Sequence, residues 1–184
     1  PDPEIEEQPW RKGRAGTSIG RAVHAVMQTI DLSTGEHLRE TAESQALAEG
    51  IANQAAHVAR LAESARTSPS IVAAVATGRY WRELDVGVPI AGTPVEGFID
   101  LLYESPDGLV VVDYKTDSVR DEAAIDAAME RYRLQGAAYA LALERALGRP
   151  VARAVFVFTE PRAEREGTDL PGAKAEIEAL LAKA

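Results

Sequence analysis

Residues 109–116 read Leu-Val-Val-Val-Asp-Tyr-Lys-Thr, and this stretch decides the fold that we predict for the chain. Its apolar run predicts a buried strand, in which side chains two residues apart lie on the same face. Asp113 and Lys115 therefore leave one face together at the strand end. A carboxylate beside an ammonium is suited to holding a hard divalent cation and to stabilising the charge that develops in phosphodiester cleavage. The alternative is a solvated strand end with a surface lysine.

The pattern around this strand predicts an α/β domain with a mixed sheet. Residues 95–104 form the preceding strand, and Ser-Pro-Asp-Gly at 105–108 is a hairpin signal between the two. The other predicted strands cover residues 80–90 and 151–158, and the predicted helices cover residues 17–30, 40–66, 70–77, 121–147 and 171–184. We expect a single domain over 1–184, with an extended lead-in at 1–15 and a core at about 16–160.

Composition excludes several kinds of site. The 184 residues include no cysteine, which removes disulfides, zinc–thiolate sites and iron–sulfur clusters and is compatible with the cytoplasm, where we expect the protein. No apolar run approaches a membrane span, so we expect no membrane partner. The net charge of −9 predicts weak independent DNA binding, because Lys and Arg supply most of the affinity for phosphates.

A second acid and a histidine extend the candidate site. Asp100 ends its strand near the end of the strand that carries Asp113. Two carboxylates and a backbone carbonyl, for which Tyr114 is placed, would suffice for magnesium. His24 lies on the polar face of the first helix, where it is either simply exposed or a nitrogen ligand that favours manganese. Glu83 is a possible third acid, although we interpret it as an ordinary half-exposed strand glutamate.

Polar residues on the long helix over 121–147 form the last part of the candidate site. Gln135 and Tyr139 are four residues apart and share a helix face, with Arg131 one turn earlier. The alternative is a polar stripe on a core helix, in which the tyrosine only packs.

Four motifs in this order resemble the RecB-like branch of the PD-(D/E)XK nuclease superfamily, a module often fused to the C-terminus of UvrD-type helicases. The motifs are Gly-x-x-x-His at 20–24, Gly-x-x-Asp at 97–100, Asp-Tyr-Lys-Thr at 113–116 and Gln-x-x-x-Tyr at 135–139. The resemblance implies a restriction-endonuclease-like α-β-β-β-α-β core with a mixed central sheet and additional N-terminal helices.

The resemblance also implies roles for individual residues. Mg2+ or Mn2+ would be held by His24, Asp100, Asp113 and the Tyr114 carbonyl. Lys115 would orient or help to deprotonate the attacking water and offset charge in the transition state. The remaining implied contacts are with the DNA backbone, through Gln135, Tyr139, Arg21 and Arg131. Some relatives bind an iron–sulfur cluster through four cysteines, which this chain lacks.

We therefore expect a divalent-metal-dependent DNA nuclease, the exonuclease arm of a helicase–nuclease in DNA end processing and repair. Its expected partners are single-stranded DNA ends and a fused or associated UvrD/RecB-type helicase. Two alternatives stay open. One is a non-catalytic DNA-binding or docking domain of the same fold that serves a partner helicase, and the other is a metal-dependent enzyme acting on a different phosphoester.

Overall fold

The computed structural model describes residues 16–116, 119 and 121–182. The predicted lead-in at 1–15 lies outside the described residues. The helices are α1 (Ser18–Thr29), α2 (Leu38–Ala48), α3 (Ala55–Arg66), α4 (Pro69–Thr77), α5 (Glu122–Leu147) and α6 (Leu170–Leu181), with a 3-10 turn at Ala52–Gln54. The strands are β1 (Tyr80–Ile90), β2 (Thr93–Ser105), β3 (Gly108–Lys115), β4 (Val151–Phe158) and β5 (Ala163–Glu166).

Within the described part of the chain, the five strands form one sheet in the order β1-β2-β3-β4-β5. Neighbouring strands are antiparallel except β3 and β4, which are parallel. A parallel pair needs a crossover connection, and α5 provides it. The predictions of an α/β fold and a mixed sheet are therefore confirmed.

Helices cover both faces of the sheet. Residues such as Leu101 and Val112 pack against α1–α4 on one face. Their neighbours Leu102 and Val111 pack against α5 and α6 on the other. Successive side chains along β2 and β3 point to opposite faces of the sheet and so contribute to two separate cores. No helix among the described residues is both long enough and apolar enough to cross a membrane.

The ribbon formed by β1 and β2 changes face part of the way along its length. Leu101 belongs to the core under α1–α4, whereas Ile99, two residues earlier, belongs to the core under α5 and α6. An uninterrupted strand would place both on one face. The change coincides with Glu83, which has a left-handed φ of +50° and falls, like Asp100, between the pairs Arg82–Leu101 and Leu84–Ile99. Both residues belong to the candidate site.

Two features differ from the sequence-based expectation. The predicted helix over 40–66 is two helices, because Gly50 adopts a φ of +73° and the chain re-enters α3 through the 3-10 turn. The strand β5 was not predicted, because its sequence Ala-Glu-Arg-Glu has no apolar alternation. Its backbone pairing with the edge of β4 forms it instead.

Candidate metal centre

The candidate site lies where β2 separates from β3. Pairing of these strands ends at Leu101 and Val112, while β2 stays paired with β1 as far as Thr93, apart from a gap at Asp100. The next pair would be Asp100 with Asp113. Instead, Asp100 Oδ2 accepts a hydrogen bond of 2.7 Å from the backbone N–H of Tyr114. A side chain thus satisfies a buried N–H beyond the ladder and holds the Asp100 carboxylate in the gap between the strands.

Helix α1 brings His24 to this carboxylate. The helix begins after Thr17, whose hydroxyl accepts a hydrogen bond of 3.1 Å from the Gly20 N–H. His24 Nδ1 lies 3.1 Å from Asp100 Oδ1. A Cβ at Gly20 would lie 3.0 Å from Thr116 Oγ1, so the motif glycine lets the first turn of α1 approach the end of β3. The two parts of the predicted Gly-x-x-x-His motif therefore act together in placing the histidine.

Glu83 completes a group of three potential ligands. Its Oε1 lies 3.8 Å from His24 Nδ1, and one ligand atom from each of His24, Glu83 and Asp100 lies within 4.8 Å of the others. Carboxylate oxygens suit Mg2+ and Mn2+, and an imidazole nitrogen shifts the preference toward Mn2+. The donor set therefore fits a divalent cation.

The interpretation of Glu83 as a half-exposed strand glutamate agrees with its burial, and the structure adds a neighbour that the sequence did not indicate. The side chain is half-buried, as expected, but its carboxylate faces the histidine. The left-handed backbone at Glu83 is uncommon for a residue other than glycine and costs on the order of 1 kcal/mol or more. The turn at Gly92 is the sequence signal that could have found it, because the hairpin that it closes brings Glu83 and Asp100 to neighbouring positions between the same two strand pairs.

Lys115 lies at the centre of a second, buried group. Its ammonium forms an ion pair with Asp113 Oδ2 and donates a hydrogen bond of 2.8 Å to Gln135 Oε1. Gln135 Nε2 in turn donates to the Tyr139 hydroxyl at 3.0 Å. The ammonium also lies 3.7 Å from the centre of the Tyr132 ring, a cation–π contact. One polar chain thus runs from α5 to the end of β3 and fixes the lysine.

The structure therefore divides the predicted ligands. His24 and Asp100 lie together, whereas the Asp113 carboxylate faces Lys115 and lies outside the three-ligand group. The N–H of Tyr114 donates a hydrogen bond to Asp100. That the Tyr114 carbonyl binds the metal stays a prediction. Tyr132 was not singled out from the sequence, since an aromatic residue on a long helix is usually core packing.

Gly97, in the Gly-x-x-Asp motif, makes room for the tyrosine on α5. A Cβ at this position would lie 2.6 Å from Tyr139 Cε1, closer than such atoms can approach. The ring of Tyr139 is buried against β2 only because position 97 has no side chain. The motif glycine therefore supports the hydrogen-bond chain to Lys115.

The two arginines predicted to contact DNA have different surroundings. Arg21 forms an ion pair with Glu49 at 2.6 Å, and this hydrogen bond raises the pKa of Arg21 and lowers the pKa of Glu49. Arg131 is exposed, and its guanidinium lies 5.7 Å from the centre of the Tyr132 ring. Since Tyr132 contacts Lys115, Arg131 lies beside the lysine end of the site.

Comparison with known families assigns the chain to a class of proteins. The family model described as the PD-(D/E)XK nuclease superfamily matches residues 5–183. The chain belongs to this superfamily, which confirms the resemblance seen in the motifs.

Its relatives are larger proteins. An ATP-dependent helicase/nuclease subunit of Thermoanaerobacter sp. (strain X514) is 28% identical over 172 residues, covering 80% of this chain and 14% of the relative. The protein of the same name from Bacillus cereus (strain Q1) is 29% identical over 177 residues, with coverage of 80% and 14%. This chain therefore spans about a seventh of the length of these relatives.

A solved structure supports the fold assignment. A protein from Eubacterium rectale described as a candidate exonuclease superposes with a TM-score of 0.54 at 14% identity, covering 94% of this chain and 66% of that one. At this identity the likeness concerns the fold alone.

Proposed function

We propose that this chain is a divalent-metal-dependent DNA nuclease that acts as the nuclease arm of a helicase–nuclease in DNA end processing. The observation that carries the proposal is the adjacency of two groups at the fork of β2 and β3. One is the three-ligand group of His24, Glu83 and Asp100, and the other is the buried ammonium of Lys115. The Tyr114 N–H bond to Asp100 joins them, because Tyr114 immediately precedes Lys115.

The cation would be held by His24, Glu83 and Asp100, with Asp113 and the Tyr114 carbonyl as further candidates from the family resemblance. When bound, a divalent cation polarises a phosphoryl oxygen and makes a water more acidic. Asp100 contributes most to orientation, because its second oxygen is fixed by the Tyr114 N–H and cannot swing away. His24 and Glu83 approach from α1 and β1, so the ligands come from three separate elements.

Lys115 would act on the phosphate. Its ammonium is paired with Asp113, donates to Gln135 and lies beside the Tyr132 ring, so its direction is set before substrate arrives. A preorganised positive charge stabilises the extra negative charge of a phosphorane-like transition state. Its ion pair with Asp113 favours this electrostatic role over removal of a proton from water.

The net charge of the domain and the names of its relatives support DNA as the substrate and a helicase as the partner. The net charge is −9, so the domain alone should hold DNA weakly. Arg131 is exposed beside the lysine and is our candidate for a backbone contact, while Arg21 is already paired with Glu49. We infer that a helicase supplies single-stranded ends, since the similar proteins are helicase/nuclease subunits.

The test is cleavage of end-labelled single-stranded and duplex DNA with Mg2+ or Mn2+ and with a chelator. We expect metal-dependent cleavage at low salt that is lost in Lys115→Met. Lys174→Met is the matched control, because Lys174 pairs with Glu144 on α5 instead of with a site residue. Failure of the natural chain to cleave any DNA end with either metal, with or without a helicase, would overturn the proposal.

A second function has one observation in its favour. Asp113 is paired with Lys115 and lies outside the three-ligand group, as it would in a domain that keeps this fold only to guide a strand for a partner helicase. Binding of single-stranded DNA without cleavage, and unchanged binding by Lys115→Met, would support this docking function.

A further inference from the structure

Arg82, the residue before Glu83, binds the end of the helix that carries His24. Its Nη1 donates to the carbonyl of Met27 at 3.0 Å and to the carbonyl of Ile30 at 2.7 Å. The Met27 carbonyl belongs to the last turn of α1, whose free carbonyls lie at the negative end of the helix dipole, and Ile30 is the extended residue that follows the helix. The last turn of α1 contains no basic residue of its own. The positively charged group that caps the C-terminal end of α1 is therefore the Arg82 guanidinium of β1.

The same two residues of β1 reach α1 at two points. Arg82 contacts its C-terminal end, and Glu83 Oε1 lies 3.8 Å from His24 Nδ1. Met27 follows His24 by three residues, so the two lie on one side of the helix. The left-handed φ of Glu83 interrupts the alternation of side chains along β1, which allows consecutive residues to meet the same helix.

We propose that Arg82 is a positioning residue for the metal group, one that sets the distance of His24 from Glu83 and Asp100. This inference rests on the proposed metal-dependent function. Ligand atoms must be placed to about 0.5 Å for a site to bind well, and a helix held only by apolar packing can slide or rotate by more than that. Two hydrogen bonds from one guanidinium nitrogen, one to the last turn of α1 at Met27 and one to Ile30 just after the helix, fix both movements of α1 against β1.

The experiment measures Mn2+ binding instead of cleavage. The Mn2+ dissociation constant and the nitrogen coupling of bound Mn2+ are measured by electron paramagnetic resonance, using protein with 15N-labelled histidine. We expect Arg82→Gln to weaken Mn2+ binding about tenfold or more, as is usual when a group that orients a ligand is lost, and to reduce the histidine coupling. Arg82→Lys keeps the charge on a shorter side chain, so we expect its Mn2+ affinity and histidine coupling to lie between those of the natural chain and those of Arg82→Gln.

Arg79→Gln is the matched control. Arg79 lies three residues earlier and pairs with Glu104 of β2 at 2.8 Å, so the same substitution removes an arginine whose ion pair is with β2. We expect its Mn2+ affinity and its coupling to match those of the natural chain. The free energy of unfolding without metal is measured for every variant, because a purely structural Arg82 would lower this quantity and leave the affinity of the folded protein unchanged.

Two outcomes overturn the inference in distinguishable ways. If the natural chain binds Mn2+ with histidine coupling and folded Arg82→Gln does the same with equal affinity, the positioning role is wrong and the proposed function stands. If the natural chain shows no Mn2+ coupled to histidine, the three-ligand group and the positioning role of Arg82 are both wrong, whereas the proposed nuclease function is decided by the cleavage test. Should Arg82→Gln fail to fold, Arg82→Lys decides, since affinity and coupling equal to the natural chain's would then contradict a role for the guanidinium.

Discussion

The Asp100 carboxylate serves two purposes at once: Oδ2 accepts the Tyr114 N–H at 2.7 Å, and Oδ1 lies 3.1 Å from His24 Nδ1. The first contact stabilises the fold, because it satisfies a buried N–H where two strands separate. The second belongs to the candidate metal site. Substitutions at Asp100 can separate these two contributions.

We expect Asp100→Asn to keep most of the stability and to lose metal-dependent cleavage. The amide oxygen can still accept the Tyr114 N–H, but it is a neutral and weaker ligand for a cation. Asp100→Ala leaves the N–H unsatisfied and should unfold about 1–3 kcal/mol more easily than Asp100→Asn. Chemical unfolding without metal measures the difference, and equal stability of the two variants would show that the hydrogen bond contributes nothing.

Glu83→Asn should weaken metal binding without destabilising the metal-free protein. Asparagine adopts the left-handed region more readily than glutamate, and its neutral side chain removes repulsion from the nearby Asp100 carboxylate. We expect unfolding free energy equal to that of the natural chain or higher by up to about 1 kcal/mol. Glu83→Gln is the control that removes the charge but keeps the unfavourable backbone. A large loss of stability in Glu83→Asn would contradict this account.

Lys115→Met should lower turnover far more than metal affinity. Lys115 contacts Asp113 and Gln135 instead of the three-ligand group, and a preorganised donor is worth roughly 3–4 kcal/mol in the transition state, which corresponds to a loss of roughly 10²–10³-fold. The variant also leaves Asp113 buried without its cation, so some stability is lost as well. Single-turnover cleavage and a calorimetric Mn2+ titration measure the two effects, and equal losses in both would show that Lys115 holds the metal site together.

Gly97→Ala should disturb the site from outside it. The new Cβ would lie 2.6 Å from the Tyr139 ring, which must move and thereby break its hydrogen bond with Gln135. We expect a loss of about 1–3 kcal/mol in stability, together with lower turnover. Gly87→Ala on β1 is the matched control, because its nearest neighbour is the flexible Glu96 side chain at 3.8 Å. Thermal unfolding of both variants gives the comparison, and equal behaviour would rule out the steric explanation.

Acid should destabilise the protein in part through Glu104. Its hydrogen bond with Arg149 and the nearby Arg79 hold the pKa of Glu104 below its ordinary value of about 4.5. A lowered pKa in the folded state contributes stability above pH 4.5, and this contribution is lost as pH falls through the lower value. We therefore expect Glu104→Gln to be less stable at neutral pH and to lose less stability on acidification. Unfolding measured from pH 3 to pH 7 checks this, with exposed Glu96→Gln as the control; parallel curves for Glu104→Gln and the natural chain would contradict it.

Much of the fold could be predicted from local patterns. The hairpin of β2 and β3 has a turn signal between apolar runs. Helix α5 is capped by Asp121 and ends at Gly148, so its bounds can be predicted from residue types alone. Placing Lys115 in one site with Gln135 and Tyr139 depended on the resemblance of the motifs to the family, because the residues lie on separate elements.

The remaining features depend on the backbone. Gly50 and Glu83 each adopt a left-handed backbone conformation at a single residue. The periodic patterns that predict helices and strands assume a regular backbone and do not indicate where such a residue occurs. Pairing of Arg21 with Glu49 joins residues 28 apart, and no local pattern encodes such a contact. These are the points where contacts distant in sequence override the local signal.

The change of face along the β1–β2 ribbon has an evolutionary consequence. Residues before and after Glu83 and Asp100 are committed to opposite hydrophobic cores, whereas Glu83 and His24 belong to neither. Selection for folding therefore acts weakly on these two positions, and selection for activity would act strongly. A lineage that no longer needed cleavage could replace both residues and keep a stable domain, so inactive descendants of such a protein should differ first at positions 24 and 83 and only later at position 100.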